Sequence, residues 1–176
     1  YKDLYVSRAR KYSTCLEASL DADNIPQATY RNLVDTVDAH LGVLHRYAAL
    51  RKRILAVDEL HPYDLYVPLV PDARMKITYD EAVKLIGEGL QPLGKEYVEN
   101  LLKAVESGWI DVYENEGKGS GAYSWSTYAA HPYVLMNYND TLDNMFTLFH
   151  ELGHAMHSYY SKIGQPYIYS GHSIFT

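Results

Sequence analysis

Residues 146–160 read FTLFHELGHAMHSYY and form the centre of a helix that the sequence predicts over about residues 142–160. The polar residues NDT at 139–141 precede this helix and can cap its first turn. Positions four apart on a helix lie on one face, one turn from each other. His150 and His154 have this spacing, so both imidazoles can point to one metal ion.

These residues complete an H-E-x-x-H pattern, which is typical of zinc peptidases. Glu151 follows the first histidine and projects beside the predicted metal, where its carboxylate can reach a water molecule. Zinc lowers the pKa of its water to about 7, and a neighbouring carboxylate can then take the proton during attack on a carbonyl. The sequence therefore predicts Zn²⁺ with ligands His150 and His154, and Glu151 as general base. A structural helix in which these residues fall into register by chance is the alternative.

Gly153 is the other informative residue of the pattern. A glycine inside a helix costs roughly 1 kcal/mol relative to alanine. We therefore expect Gly153 to make room for a close-packed neighbour or a strand.

Two short strands are predicted before the helix, at residues 109–113 and 133–136. The turn-rich residues 114–121 between them favour a flexible loop. The segment at 133–138 is a candidate to pair with an extended peptide, and a core strand is the equally weighted alternative. Further upstream, Thr78 or Asp80 can cap a helix that Pro92 ends, and a second helix runs through Val105.

The first half of the chain has helical periodicity over residues 4–20 and again from Pro26 to about Val57. The basic triplet at 51–53 is expected to be a solvated helix end, in preference to a contact with a polyanion. Residues 58–78 contain three prolines and predict a connector with a short extended segment at 65–67.

The composition narrows the possible partners. Sixteen Lys and Arg against 22 Asp and Glu give a net charge of −6, so nucleic acid is not expected as a partner. No run of apolar residues is long enough to cross a bilayer, so no membrane partner is expected. The single cysteine, Cys15, favours a reducing compartment, and a cytoplasmic location is predicted.

Nearly the whole chain resembles the thimet oligopeptidase family of zinc metallopeptidases, and within it the bacterial oligoendopeptidases. The resemblance is greatest over residues 146–161 and continues through QPY at 165–167 and SIF at 173–175. It also includes RARKY at 8–12, LEASL at 16–20, YDLYVPL at 63–69, WIDVY at 109–113, GKGSGAYS at 117–124 and PYVLMNY at 132–138.

The resemblance implies a mainly α fold with a small β-sheet, of the zincin-like helical metallopeptidase type and incomplete. It implies short peptides as substrates, Zn²⁺ as cofactor, His150 and His154 as ligands, and Glu151 as the base. The family's third ligand is a glutamate that would lie beyond Thr176. We therefore expect a partial catalytic region, with a helical segment and connector at 1–78 and the helices, sheet and metal site at 79–176.

Two further residues are candidate substrate contacts, Tyr133 and His157. Packing or support of the metal site is the alternative for His157. Solvated loop positions are expected for His131 and His172, and contact with substrate in the cleft is their alternative. For the isolated chain we expect weak zinc binding, weak or absent hydrolysis, and self-association through apolar faces. A peptide-binding or scaffolding fragment without catalysis is the alternative function, followed by a purely structural helical protein.

Overall fold

A computed structural model of the chain describes residues 1–70 and 75–173, which divide into two compact units. The first unit comprises residues 1–70 together with Ser173, and the second comprises residues 75–172. Parts of the predicted connector and of the SIF motif lie outside the described residues. Within the described ranges, no helix is both long and apolar enough to span a membrane.

The first unit is helical. Helices α1 (Lys2–Ala9) and α2 (Cys15–Asp21) precede the long α3 (Gln27–Leu55), and a 3₁₀ helix follows at Pro62–Tyr66. The prediction of a helix from Pro26 to about Val57 is therefore confirmed by α3. The extended segment predicted at 65–67 is wrong over most of its length, because the 3₁₀ helix includes residues 65 and 66.

The single helix predicted over residues 4–20 is also wrong. The chain turns at Lys11, which has a φ of 67°, and a new helix begins after Thr14. The Thr14 side chain accepts a hydrogen bond from the Glu17 amide at 3.0 Å, and the Glu17 carboxylate accepts one from the Ser13 amide at 2.8 Å. These reciprocal bonds resemble a capping box, a local signal that outweighs the continuous apolar spacing.

The prediction of a solvated basic triplet at residues 51–53 is wrong for Arg51. Its side chain is buried, with 5% exposure, whereas Lys52 and Arg53 are exposed. The guanidinium donates hydrogen bonds to the main-chain oxygens of Asp64 at 2.7 Å and Val67 at 2.6 Å. Arg51 therefore fastens the 3₁₀ segment to α3 and is not free for a polyanion.

The second unit contains three helices and one small sheet. Its helices are α4 (Tyr79–Gly89), α5 (Lys95–Glu106) and α6 (Leu142–Gly164), with 3₁₀ helices at Gln91–Leu93 and Tyr167–Tyr169. The strands are β1 (Ile110–Asp111), β2 (Tyr123–Trp125) and β3 (Tyr133–Leu135), in the order β1-β3-β2. The expected mainly α fold with a small sheet is confirmed.

Strand β3 occupies the centre of the sheet. It pairs in parallel with β1 and antiparallel with β2. Of the two interpretations of the segment at 133–138, the core strand is therefore the correct one over residues 133–135. Strand β2 was not predicted from the sequence.

Helix α6 packs on this sheet and on α4 through one continuous apolar core. The core residues are Ile77, Ala82, Ile86, Leu90, Val98, Leu101, Val134, Met136, Tyr138, Leu148, Leu152, Ala155 and Met156. The buried Tyr138 hydroxyl donates to the main-chain oxygen of Ile77 at 3.0 Å, which satisfies its polar group within the core. This packing fixes which face of α6 points away from the core.

Candidate functional site

The start of α6 is fixed by a local cap. The Thr141 hydroxyl accepts a hydrogen bond from the Asn144 amide at 3.1 Å, as the polar triplet before the helix predicts. The helix then buries Leu148 and Leu152 in the core, and leaves His150 exposed and His154 half-buried. The two histidines of the pattern are placed by this packing.

His150 and His154 bring their ring nitrogens together. Their Nε2 atoms are 3.1 Å apart, and the ring planes are close to perpendicular, at 84°. A tetrahedral zinc ion binds imidazole nitrogens at about 2.0–2.1 Å, which places two such nitrogens about 3.3 Å apart. The observed spacing fits two ligands of one zinc ion.

A third protein ligand does not accompany this pair in the described part of the chain. No group of three or more His, Cys, Asp or Glu side chains that could hold a metal occurs within residues 1–70 and 75–173. Catalytic zinc sites usually have three protein ligands and one open position. The two Nε2 atoms therefore suit zinc in chemistry and spacing. They would supply two of the three protein ligands that a catalytic zinc site usually has.

Glu151, the residue that follows His150, is buried, with 9% exposure. Together with His154 it lines a cleft of about 900 Å³. His150 is exposed and is not among the residues that line the cleft. The carboxylate and the nitrogen donors thus lie on neighbouring parts of one helical surface.

Ser158 and Lys162 continue the cleft surface of α6 beyond His154. The steps from Glu151 through His154 and Ser158 to Lys162 are three, four and four residues, which is the spacing of one helical face. Partial burial lowers the pKa of Lys162, and its Nζ donates to the main-chain oxygen of Ala130 at 2.6 Å. Sequence reasoning missed both residues, although their helical spacing from Glu151 was available.

The opposite side of the cleft is formed by residues 122–128, which include β2. Strand side chains alternate between two faces, so a continuous run of lining residues indicates that the edge of the strand borders the cleft. Among the described strands, β2 pairs only with β3. Its other edge is available for a further strand.

Ser124 presents its main chain at this free edge. The Val134 amide donates to the Trp109 oxygen at 2.8 Å, so the main chain of Val134 faces β1. Its neighbours Tyr133 and Leu135 therefore face β2, where they are paired with Trp125 and Tyr123. By the same alternation, the N–H and C=O of Ser124 point away from β3.

The remaining cleft surface comes from the segment that follows α6. Tyr167, Ile168, Ser170, Gly171 and His172 line it. Tyr128 joins this segment to the residues after β2, since its hydroxyl donates to the Gln165 oxygen at 3.2 Å and its ring meets Tyr167 edge-on at 5.5 Å.

The other predicted contacts, Tyr133 and His157, are not among the residues that line the cleft. Tyr133 is on β3 with 48% exposure, and its ring lies 4.3 Å from the His131 ring. His157 is exposed and stacks on His172 with a centroid distance of 3.9 Å. Partial burial, followed by the charges of His157 and His154, lowers the pKa of His172.

The expected role of Gly153 is wrong for the described residues. A Cβ placed on Gly153 would meet nothing within 4 Å, and the residue is exposed. Gly153 therefore does not accommodate a close neighbour within this part of the structure. The surface above it is open.

Comparison with known proteins gives concordant results. Residues 2–176 match the sequence profile of peptidase family M3. The chain is 52% identical over 174 residues to oligopeptidase PepF of Bacillus subtilis, an alignment that covers 99% of this chain and 26% of that protein. It is 42% identical over 169 residues to an oligoendopeptidase F homologue of Lactococcus lactis, covering 96% of this chain and 28% of the relative.

A solved structure is similar over almost the same extent. A Chlamydophila abortus protein assigned as a peptidase superposes with a TM-score of 0.77 at 41% identity, covering 98% of this chain and 29% of that one. The chain therefore spans less than a third of the length of these relatives.

Proposed function

The chain belongs to peptidase family M3, and from this premise we propose that it supplies part of the active site of a zinc-dependent endopeptidase that cleaves internal bonds of short peptides. One observation carries the proposal. The Nε2 atoms of His150 and His154 converge to 3.1 Å, and Glu151, which follows His150, is buried. Glu151 and His154 line the cleft, which would give a peptide access to these two side chains.

His150 and His154 would hold the zinc ion through their Nε2 atoms. When bound, zinc supplies a Lewis acid that polarises a peptide carbonyl and makes water more acidic. The resemblance to the family implies that a glutamate from a following segment completes the protein ligands. With only the two imidazoles, we expect residues 1–176 to retain the ion weakly.

Glu151 would act as general base. One of its carboxylate oxygens accepts the proton of the attacking water and later returns it to the leaving amide nitrogen. The peptide bond is thereby broken without a covalent bond to the protein.

The free edge of β2 would align the substrate. An extended peptide that adds to this edge can exchange two hydrogen bonds with the N–H and C=O of Ser124. These bonds involve only the peptide main chain, so they position substrates of different sequence in the same way. The exposed rings of Trp125 and Tyr167 border the cleft and can contact substrate side chains. Tyr133 and His157 do not line the cleft, and they remain proposed contacts of the substrate.

We also propose a cytoplasmic location, in which the free thiol of Cys15 stays reduced. Cell fractionation with an antibody against the protein would test it. Recovery in an oxidising compartment would contradict this location.

The test of the catalytic proposal is the substitution Glu151→Gln in the full polypeptide that contains these residues. We expect hydrolysis of short peptides to fall by about 10²–10⁴-fold, because the base is lost, while zinc content stays unchanged. Asp143→Asn is the matched control, since Asp143 is an exposed acid in the first turn of the same helix. Equal turnover in Glu151→Gln and Asp143→Asn would overturn the role of Glu151.

A peptide-binding or scaffolding fragment without catalysis is the second candidate for residues 1–176. It is favoured by the finding that the described residues supply only two converging nitrogen donors. Zinc content after dialysis, compared with a polypeptide extended past Thr176, distinguishes the two. Equal zinc content and turnover in both would exclude the second candidate.

Self-association of residues 1–176 is a further proposal. It is supported by the exposed apolar side chains of α3, which include Leu33, Val37, Leu41 and Leu44. Sedimentation velocity over a range of concentrations would test it, and a constant monomer mass would contradict it.

A further inference from the structure

The loop between β1 and β2 is held by side chains at the point where strand pairing stops. In the β2–β3 ladder, Tyr123 is paired with Leu135. The next hydrogen-bonded pair of this antiparallel register, two residues further on, would be Gly121 with Asn137. Gly121 has a φ of 89°, which takes its main chain out of the strand conformation.

The side chain of Asn137 replaces the missing main-chain pairing. Its Nδ2 donates to the main-chain oxygen of Gly121 at 2.8 Å and to that of Gly119 at 2.9 Å. An amide nitrogen has two hydrogens, and both are used here. The side chain therefore fixes two positions of the loop directly before β2.

Lys118 fixes the same loop to the other edge of the sheet. Its side chain is buried, with 4% exposure, and its Nζ lies 3.3 Å from the Asp111 carboxylate. The ammonium also donates to the main-chain oxygens of Asp111 at 3.1 Å and Tyr113 at 2.6 Å. Residues 118–121 are thus attached both to β1 and to Asn137, which lies two residues after the end of β3. The sequence favoured a flexible loop at these positions.

These contacts matter because β2 is short and lies at an edge. It has three residues, and β3 is its only strand partner among the residues described. The position of so short a strand depends strongly on how its ends are attached. Asn137 holds the loop at the start of β2, directly before Tyr123. The next residue, Ser124, carries the N–H and C=O that point away from β3.

We infer that Asn137 is a positioning residue that sets the free edge of β2, and with it the main chain of Ser124, in the orientation that pairs with an extended peptide. The inference rests on the proposed function, because it assigns Asn137 a part in aligning the substrate of that same cleft. Asn137 acts through the loop oxygens and β2, without touching the peptide or the reacting atoms.

The experiment combines a substitution with modified peptides. Asn137→Asp keeps the size of the side chain and removes both N–H donors. Asn115→Asp is the matched control, because Asn115 is exposed on the same loop. Each variant of the full polypeptide is assayed with one short peptide and with a series in which each residue in turn is N-methylated.

In the wild-type protein, we expect N-methylation at one position to raise KM about tenfold, because it removes the hydrogen bond to Ser124. In Asn137→Asp, KM for the unmodified peptide should rise by a similar factor, and the methylation penalty at that position should fall to about twofold or less. Asn115→Asp should keep the full penalty. A change in stability alone would leave this penalty unchanged.

Each result decides one of the two proposals. A full methylation penalty in Asn137→Asp overturns the positioning role, and so does a wild-type protein that cleaves peptides without a penalty at any position. A wild-type protein that cleaves none of the peptides overturns the proposed function itself. If Asn137→Asp does not fold, Asn137→Ala also removes both donors without adding a charge, and an unaltered penalty in that variant also overturns the inference.

Discussion

The Nε2 atoms of His150 and His154 lie 3.1 Å apart on successive turns of α6. This distance follows from a four-residue separation on a helix whose rotation is fixed by the buried side chains on its other face. The pair is therefore organised by the helix itself.

Removal of either imidazole should weaken zinc binding. We expect His154→Ala to lower the zinc affinity of the full polypeptide by at least about 100-fold, more than the loss of a supporting hydrogen bond causes. His157→Ala serves as the control on the same helix and should bind zinc normally. Competition with a fluorescent chelator measures both affinities, and similar losses in the two variants would contradict the assignment of ligands.

Arg51 should contribute to the stability of the first unit. We expect Arg51→Met to lower the free energy of unfolding of residues 1–176 by about 2 kcal/mol, because the main-chain oxygens of Asp64 and Val67 lose a charged donor. Arg53→Met, at an exposed position two residues away, should change it by less than about 0.5 kcal/mol. Urea unfolding followed by circular dichroism compares the two, and equal effects would refute the burial of Arg51.

Alanine in place of Gly153 should stabilise the protein. We expect Gly153→Ala to stabilise residues 1–176 by about 0.5–1 kcal/mol, because its Cβ would enter open space in the middle of a helix. Gly87→Ala is the comparison, since its Cβ would meet the Leu102 side chain at 3.5 Å. Thermal unfolding measures both variants, and a destabilised Gly153→Ala would show that the site is not open.

Alkaline pH should destabilise the second unit. Burial, with smaller effects of Tyr113, Asp80 and Tyr138, raises the pKa of Tyr79 to about 12 from its ordinary value of 10.0. The folded state therefore holds this proton more tightly than the unfolded state, and the stability so gained is lost as the pH rises from 10 through about 12.

Tyr79→Phe should reduce that alkaline loss. Part of the loss should remain, because burial also raises the pKa values of Tyr97 and Tyr138. Free energies of unfolding measured at intervals from about pH 9 to about pH 12 provide the test. An unchanged pH dependence in Tyr79→Phe would contradict the assignment.

The local parts of the fold were predictable because their causes lie within a few residues. Thr78 and Glu81 form the capping box that begins α4, and Thr141 caps α6 as expected. The division between α1 and α2 was missed even though its signal, Thr14 followed by Glu17, is equally local. The apolar spacing runs without interruption from residue 4 to residue 20 and so predicts one helix across the cap.

The predicted metal ligands and general base remain proposals for this chain, but the placement of their side chains agrees with the pattern. The sequence alone predicted that His150, Glu151 and His154 lie on one helix, because the polar cap at 139–141 and the apolar spacing after it indicate a helix, on which residues four apart lie one turn from each other. It also carried the resemblance to the family, which the comparisons confirm.

The tertiary structure decided everything that depends on distant residues. The sequence could not show that β3 is central, that β2 has the free edge, or that Asn137 bonds to loop oxygens 16 and 18 residues away. It could not show that Arg51 is buried while Arg53 is exposed. Strand order and burial are set by which segments pack together, and that choice depends on the free energy of the whole core.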